Sequence, residues 1–261
     1  MAKQTAKEPT MAKSNGNGHG SGAVHLMLQG KGGVGKSTCS AFLAQYLREK
    51  GRDVACLDTD PVNHTLAGYE GLPVEIVELM DEGEVNSKRF DQVIVKVLGE
   101  NKDFVIDSGA SSFISLWNYI LQNEVVPLLT ANGRRVYIHT IVAGGGALLE
   151  TISNLKELAK TTPDRNLVVW VNEHEARAEM DGKKLGEMAA YRASESKVLG
   201  NIVVERRNPQ TFGSDLRKMI SDRLTFTEAI ARPEYNVMER QRLAVVRRGL
   251  YEQLDGVEFG A

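Results

Sequence analysis

Short, unbroken apolar runs alternate along this chain with longer stretches in which apolar residues recur every third or fourth position. The runs are Ala23-Val24-His25-Leu26-Met27-Leu28, Val54-Ala55-Cys56-Leu57, Phe104-Val105-Ile106, Val136-Tyr137-Ile138, Leu167-Val168-Val169-Trp170-Val171 and Ile202-Val203-Val204. Runs so short, with no polar alternation, suit strands buried on both faces. Between the first two, Phe42, Leu43, Tyr46 and Leu47 carry helical spacing and Gly51 supplies a stop. Similar spacing predicts helices over residues 116–122, 147–159 and 184–192, and a last one over 239–254 that places Leu243, Val246, Leu250 and Leu254 on one face. The alternation predicts an α/β fold, a mostly parallel central sheet with helices on both faces. Right-handed crossovers then gather the loops after the strands along one sheet edge, where ligands bind.

Residues 1–22 are rich in Lys, Ser, Asn and Gly and almost free of apolar side chains, so a flexible N-terminal tail is expected there. Residues 23–261 are expected to form a single domain, since 42% hydrophobic residues in a chain of 261 suffice for one sizeable core. A net charge of −2 sets up no overall field toward nucleic acid or anionic lipid, which leaves only local patches such as Arg134-Arg135 and Arg206-Arg207 as places for DNA phosphates. Paired arginines are also a common solvated rim. The two cysteines, Cys39 and Cys56, sit inside apolar runs, which fits a reducing compartment, and no run approaches the roughly 20 apolar residues of a spanning helix. A cytoplasmic protein without stable membrane association is the expectation.

The chemistry lies directly after the first apolar run. Gly30-Lys31-Gly32-Gly33-Val34-Gly35-Lys36-Ser37 meets the phosphate-loop pattern G-x-x-x-x-G-K-[S/T] at every position. Glycines let the backbone approach phosphates closely, the N–H groups and the start of the next helix make an anion site, and Lys36 adds a point charge. Ser37 offers a hydroxyl to Mg²⁺, and Thr38 can donate to an α-phosphate oxygen. A triphosphate needs Mg²⁺, and the cation needs carboxylates at neighbouring strand ends. Asp58 and Asp60, in Leu57-Asp58-Thr59-Asp60-Pro61, and Asp107, which closes Phe104-Val105-Ile106, occupy such positions. Any one alone reads more readily as a turn cap, and only the three together, downstream of the phosphate loop, favour the site.

The string Lys31-Gly32-Gly33-Val34-Gly35-Lys36-Ser37-Thr38 resembles the deviant Walker A motif of the ParA and MinD ATPase family, and Asp58-Thr59-Asp60-Pro61 is similar to that family's second motif. The resemblance implies that Lys31 reaches across an ATP-dependent homodimer to the partner's phosphates. It further implies that Asp58 and Asp107 hold Mg²⁺ through its waters, that Asp60 orients the attacking water, and that Asn172 contacts adenine. Gly32, Gly33, Val34, Gly35, Lys36, Ser37 and Thr38 would form the ATP cradle. Val62 stands where partition ATPases commonly have glutamine, and Ser108-Gly109-Ala110 replaces a proline-containing switch, which bears on the hydrolysis rate more than on binding. Asn101-Lys102-Asp103 has the wrong spacing for a guanine site, and neither cysteine lies in a loop as a metal-cluster carrier would need. The last helix invites comparison with the membrane helix of MinD-like proteins, but packing on the sheet is the simpler reading.

The wording of residues 26–37 and of 208–216 looks like TraL-type proteins of plasmid conjugation operons. That implies a slow ATPase, switched between monomer and dimer, acting in conjugal DNA transfer with a relaxosome or accessory DNA-binding protein. Two alternatives stand beside it: a ParA-like partition ATPase that binds DNA nonspecifically, and a nucleotide-binding scaffold without hydrolysis.

Overall fold

The computed structural model describes residues 22–82 and 84–259. Of the tail expected over 1–22, only Gly22 falls among them, and the rest lies outside the described residues. In chain order the elements begin with β1 Ala23–Met27, α1 Lys36–Glu49, β2 Val54–Thr59 and β3 Val74–Ile76. A two-residue hairpin follows, β4 Met80–Asp81 with β5 Glu84–Val85, and then α2 Phe90–Gly99, β6 Asp103–Ser108, α3 Phe113–Gln122 and α4 Val125–Ala131. The second half holds β7 Arg135–Ala143, α5 Leu148–Thr161, β8 Leu167–Asn172, the hairpin β9 Glu179–Met180 with β10 Lys183–Lys184, and α6 Ala189–Arg192. It closes with β11 Val198–Val204, α7 Phe212–Ser221, α8 Phe226–Ala231 and α9 Val237–Asp255.

Seven strands form one sheet in the order β11-β8-β7-β1-β6-β2-β3, and every pairing in it is parallel. Side chains alternate across it. Met27, Val105, Ile141 and Trp170 meet α1, α7, α8 and α9 on one face, while Leu26, Ile106, Ile138 and Val169 meet α2 to α5 on the other. Two apolar layers therefore sandwich the sheet, which explains why the strand sequences show no polar alternation. β1 lies at the centre, and the chain leaves it through α1 to β2, passing over the position that β6 later fills.

The last helix packs as expected, with Leu243, Leu250 and Leu254 buried in the layer beneath α1. Its start is fixed by a capping box, in which Asn236 accepts from the backbone of Met238 and Glu239 and the Glu239 carboxylate accepts from the Asn236 N–H. No helix of the described residues is long and apolar enough to cross a membrane. The helix expected over 184–192 is corrected. Asp181 and Gly182, both at positive φ, turn the hairpin β9–β10, and only the single turn α6 is α-helical. Leu185, Met188 and Tyr191 imitate a helical repeat because all three are buried, whereas Asp-Gly is the stronger local signal.

Candidate functional site

The C-terminal ends of β1, β6 and β2 open onto one cleft of about 510 Å³. Gly32, Gly33, Gly35, Lys36, Ser37, Thr38 and Asp60 line it, so seven of the expected site residues share one hollow. The loop takes its shape from two glycines with positive φ, Gly33 at 74° and Gly35 at 91°. Gly35 is the N-cap of α1 and contributes no side chain, which leaves the first N–H groups of the helix free for an anion. A Cβ there would stand 2.7 Å from the Asn172 amide nitrogen, so both its torsion and its surroundings require glycine.

Lys36 is 8% exposed and makes no ion pair among the described residues. A buried ammonium with no counter-ion in contact, and only the longer-range pull of Asp107, is suited to an anion from outside the chain. Below it sits Asp107, wholly buried at the end of β6, and burial pushes its carboxyl up to about 6, against the pull of Lys36, Ser37 and Ser40. Ser40 donates to Asp107 Oδ1 at 2.9 Å, whereas Oδ2 is buried with no hydrogen-bond partner. An orphaned carboxylate oxygen beside the Ser37 hydroxyl suits a hard, hydrated cation, and no cluster of three or more His, Cys, Asp or Glu among the described residues offers a rival cage. Ser40 was absent from the residues picked out by motif. Its position three residues after Ser37, on the same helix face, is the signal that could have found it.

Asp58 is also fully buried and its carboxyl is raised by burial. Its two oxygens accept backbone N–H groups from Asp60 at 3.1 Å and Ala67 at 3.0 Å, so it ties the ends of the loop that follows β2. Asp60 Oδ1 accepts from Val62 and Asn63 and lies against Gly109, where a Cβ would come within 2.8 Å of it. Thr59 donates to the Asp107 carbonyl and Ser108 to that of Met27, which locks the three strand ends together.

Asn172, at the end of β8, sits against the loop and lines a second hollow of about 640 Å³ that shares Gly33, Gly35 and Thr38 with the first. Its Nδ2 donates to the Val34 carbonyl at 2.9 Å and its Oδ1 accepts from the His174 N–H, so the amide braces the loop. Lys31 points elsewhere: its ammonium meets Glu150 of α5 at 2.9 Å, and it does not line the cleft of its own chain. Cys39 and Cys56 are buried free thiols, both raised by burial, Cys56 to about 12. The pairing of Arg134 with Arg135 as a surface patch is corrected. Arg134 is buried, and its guanidinium donates to the carbonyls of Gly22, Val97, Glu100 and Lys102 under the far end of the sheet. Arg206 stays exposed, while Arg207 pairs with Glu205 at 2.8 Å over the Phe212 ring.

Comparison with known proteins agrees with this geometry. The CobQ/CobB/MinD/ParA nucleotide binding domain matches residues 26–219. Two proteins from Escherichia coli, each called Protein TraL, are 44% and 40% identical to the chain over 233 residues, which is 89% of this chain and 97% of theirs. Among solved structures, a ParA family ATPase from Chlorobium tepidum superposes with a TM-score of 0.53 at 12% identity, covering 90% of this chain and 97% of that one. A loop built for phosphates at the centre of a parallel sheet, and relatives that share nearly the whole length, place this chain in the CobQ/CobB/MinD/ParA nucleotide-binding family, alongside the TraL proteins.

Proposed function

We propose that the chain binds Mg-ATP in the cleft beside Lys36, hydrolyses it slowly, and alternates between single and paired states during conjugal transfer of plasmid DNA. One observation carries the nucleotide part: a buried lysine with no counter-ion in contact, near a buried carboxylate oxygen without a donor, at a helix start whose N–H groups are uncapped. A polyphosphate with its cation would satisfy all three at once. The transfer role is supported by the resemblance to TraL-type proteins, and a relaxosome or accessory DNA-binding protein is the corresponding partner.

In this reading the N–H groups of residues 32–38 and the Lys36 ammonium hold and orient the β- and γ-phosphates. Bound Mg²⁺ supplies charge neutralisation at the phosphate oxygens, and Ser37, with Asp107 and Asp58 behind it, would hold the cation and its waters. Asp60 orients the attacking water with its remaining oxygen, Oδ2. Asn172 keeps the loop closed around the phosphates and presents its edge to the adenine. Lys31 serves the partner chain's phosphates once two chains face each other.

Asp60 also favours a second reading. Its Oδ1 is committed to two backbone N–H groups, a fixed turn that suits a nucleotide-binding scaffold as well as a catalyst. Titration calorimetry with Mg-ATP tests the first step. Uptake by the wild type and its loss in Lys36→Ala are expected, and a wild type that takes up no ATP would remove the proposal. Single-turnover hydrolysis separates the two readings. A wild type with no turnover leaves only the scaffold, whereas turnover that is lost in Asp60→Ala supports the catalyst.

A further inference from the structure

The segment that carries Lys31 is held by a buried polar brace outside the phosphate loop. Gln29 is 0% exposed two residues beyond β1, and both ends of its amide are used. Nε2 donates to the Ile141 carbonyl of β7 at 2.6 Å, while Oε1 accepts the backbone N–H of Lys31 at 3.0 Å and an N–H of Asn154 from α5. Gly30, between them, is closed in from two sides. A Cβ on it would stand 3.0 Å from the Phe113 ring of α3 and 3.3 Å from the Asn154 amide. Asn154 lies one helical turn after Glu150, which holds the Lys31 ammonium at 2.9 Å, so one face of α5 holds the side chain of this lysine directly and its backbone through Gln29.

We infer that Gln29 and Asn154 are positioning residues for Lys31: they fix the backbone from which its ammonium leaves its own cleft, and thereby set the ATP-linked pairing of two chains without setting nucleotide uptake by one. The inference rests on the proposed role of Lys31 in pairing. The phosphate cradle itself hangs on other supports, namely the torsions of Gly33 and Gly35, the start of α1 and the Asn172 brace. None of these passes through Asn154. A buried amide of glutamine allows few arrangements, because leaving either end unpaired is costly; loss of the Asn154 donor leaves Oε1 on the Lys31 N–H alone, so the plane of the amide, and the Lys31 backbone with it, is less firmly set.

The test uses the full chain and Mg-ATP, with self-association followed by light scattering and single-chain uptake by titration below the pairing concentration. Loss of one buried hydrogen bond corresponds to about five-fold per chain. Because two chains contribute and the bond is already made in the single chain, Asn154→Ala is expected to weaken ATP-linked pairing by at most about twenty-five-fold and by at least about five-fold, with nucleotide affinity held within two-fold and melting temperature near the wild type. Asn154→Gln, which keeps an amide donor on a longer arm, recovers part of the loss. In a Lys31→Ala background the same change should have no further effect on pairing, an outcome that a general loosening of α5 would not give. Equal losses in uptake and pairing, unchanged pairing, or additive losses with Lys31→Ala each overturn the inference. A wild type that takes up Mg-ATP yet remains single removes the pairing reading and this inference with it, whereas a pairing wild type matched by Asn154→Ala removes the inference alone.

Discussion

Replacing Asp107 by Asn should make the nucleotide-free chain more stable while ending its use of Mg-ATP. The carboxyl is fully buried, and its folded-state value of about 6 lies above the ordinary 3.8 because burial penalises the charge more than Lys36, Ser37 and Ser40 relieve it. At about 1.4 kcal/mol for each unit of pH between those values, holding Asp107 ionised at pH 7.5 costs about 3 kcal/mol. The sign follows from linkage: a raised carboxyl binds its proton more tightly in the folded state, so its contribution is fully present below 3.8 and is lost as pH rises through about 6. An amide loses no hydrogen bond, since Ser40 still donates to the retained oxygen. For a chain of this size, about 3 kcal/mol should raise the melting temperature by at least about 5 °C at pH 7.5. At pH 5 the advantage of the variant over the wild type should shrink to about half. Circular dichroism melts of both proteins at the two pH values, without nucleotide, provide the comparison. An unchanged or lower melting temperature at pH 7.5, or a gain that does not shrink with acid, would refute the idea that a buried negative charge is held here at a cost for the sake of the cation.

Other consequences can be measured in the same way. Gly35→Ala adds a left-handed torsion and a Cβ 2.7 Å from Asn172, whereas Gly33→Ala adds the torsion in open space; thermal melts should show a loss of about 2–4 kcal/mol for the first and about 1–2 kcal/mol for the second, with Asn172→Ala recovering part of the difference. Trp170 donates to His139 Nδ1 at 3.0 Å, so His139 carries its proton on Nε2 and donates to His25 Nδ1 at 2.9 Å, and burial holds both rings neutral, His139 down to about 3. Because a depressed histidine favours the folded state above its unfolded value and loses that advantage as pH falls, acidification from 7.5 to 5 should cost about 2 kcal/mol through His139. In His139→Phe this part of the denaturation profile should flatten, and an unchanged slope would count against the assignment. Arg134→Leu leaves the carbonyls around residues 97–102 without their donor and should destabilise the chain by about 3–5 kcal/mol in urea titration. Any retention of DNA should be independent of Arg134; a selective loss of retention in Arg134→Leu without loss of stability would mean that its guanidinium reaches the surface.

Six of the seven sheet strands and the phosphate loop were legible in neighbouring residues, whereas β3, an edge strand of three partly exposed residues, left no apolar run to find. A strand buried on two faces must be apolar throughout, and a loop that wraps phosphate must carry glycine, lysine and a hydroxyl at fixed spacing. Asp107 and Asp58 were legible for the same reason, each closing an apolar run. The Asp181-Gly182 turn was legible too, but the spacing of Leu185, Met188 and Tyr191 concealed it, since burial at every third residue looks the same in a helix and in a packed irregular segment. The packing of distant segments chose the partners that these residues meet. It set Ser40 on Asp107, drew Asn172 onto the Val34 carbonyl, turned Lys31 to Glu150, and buried Arg134 among carbonyls more than thirty residues away in sequence. Such contacts depend on the order in which parallel strands assemble, and that order places residues 29, 141 and 154 side by side, although no local pattern records their proximity.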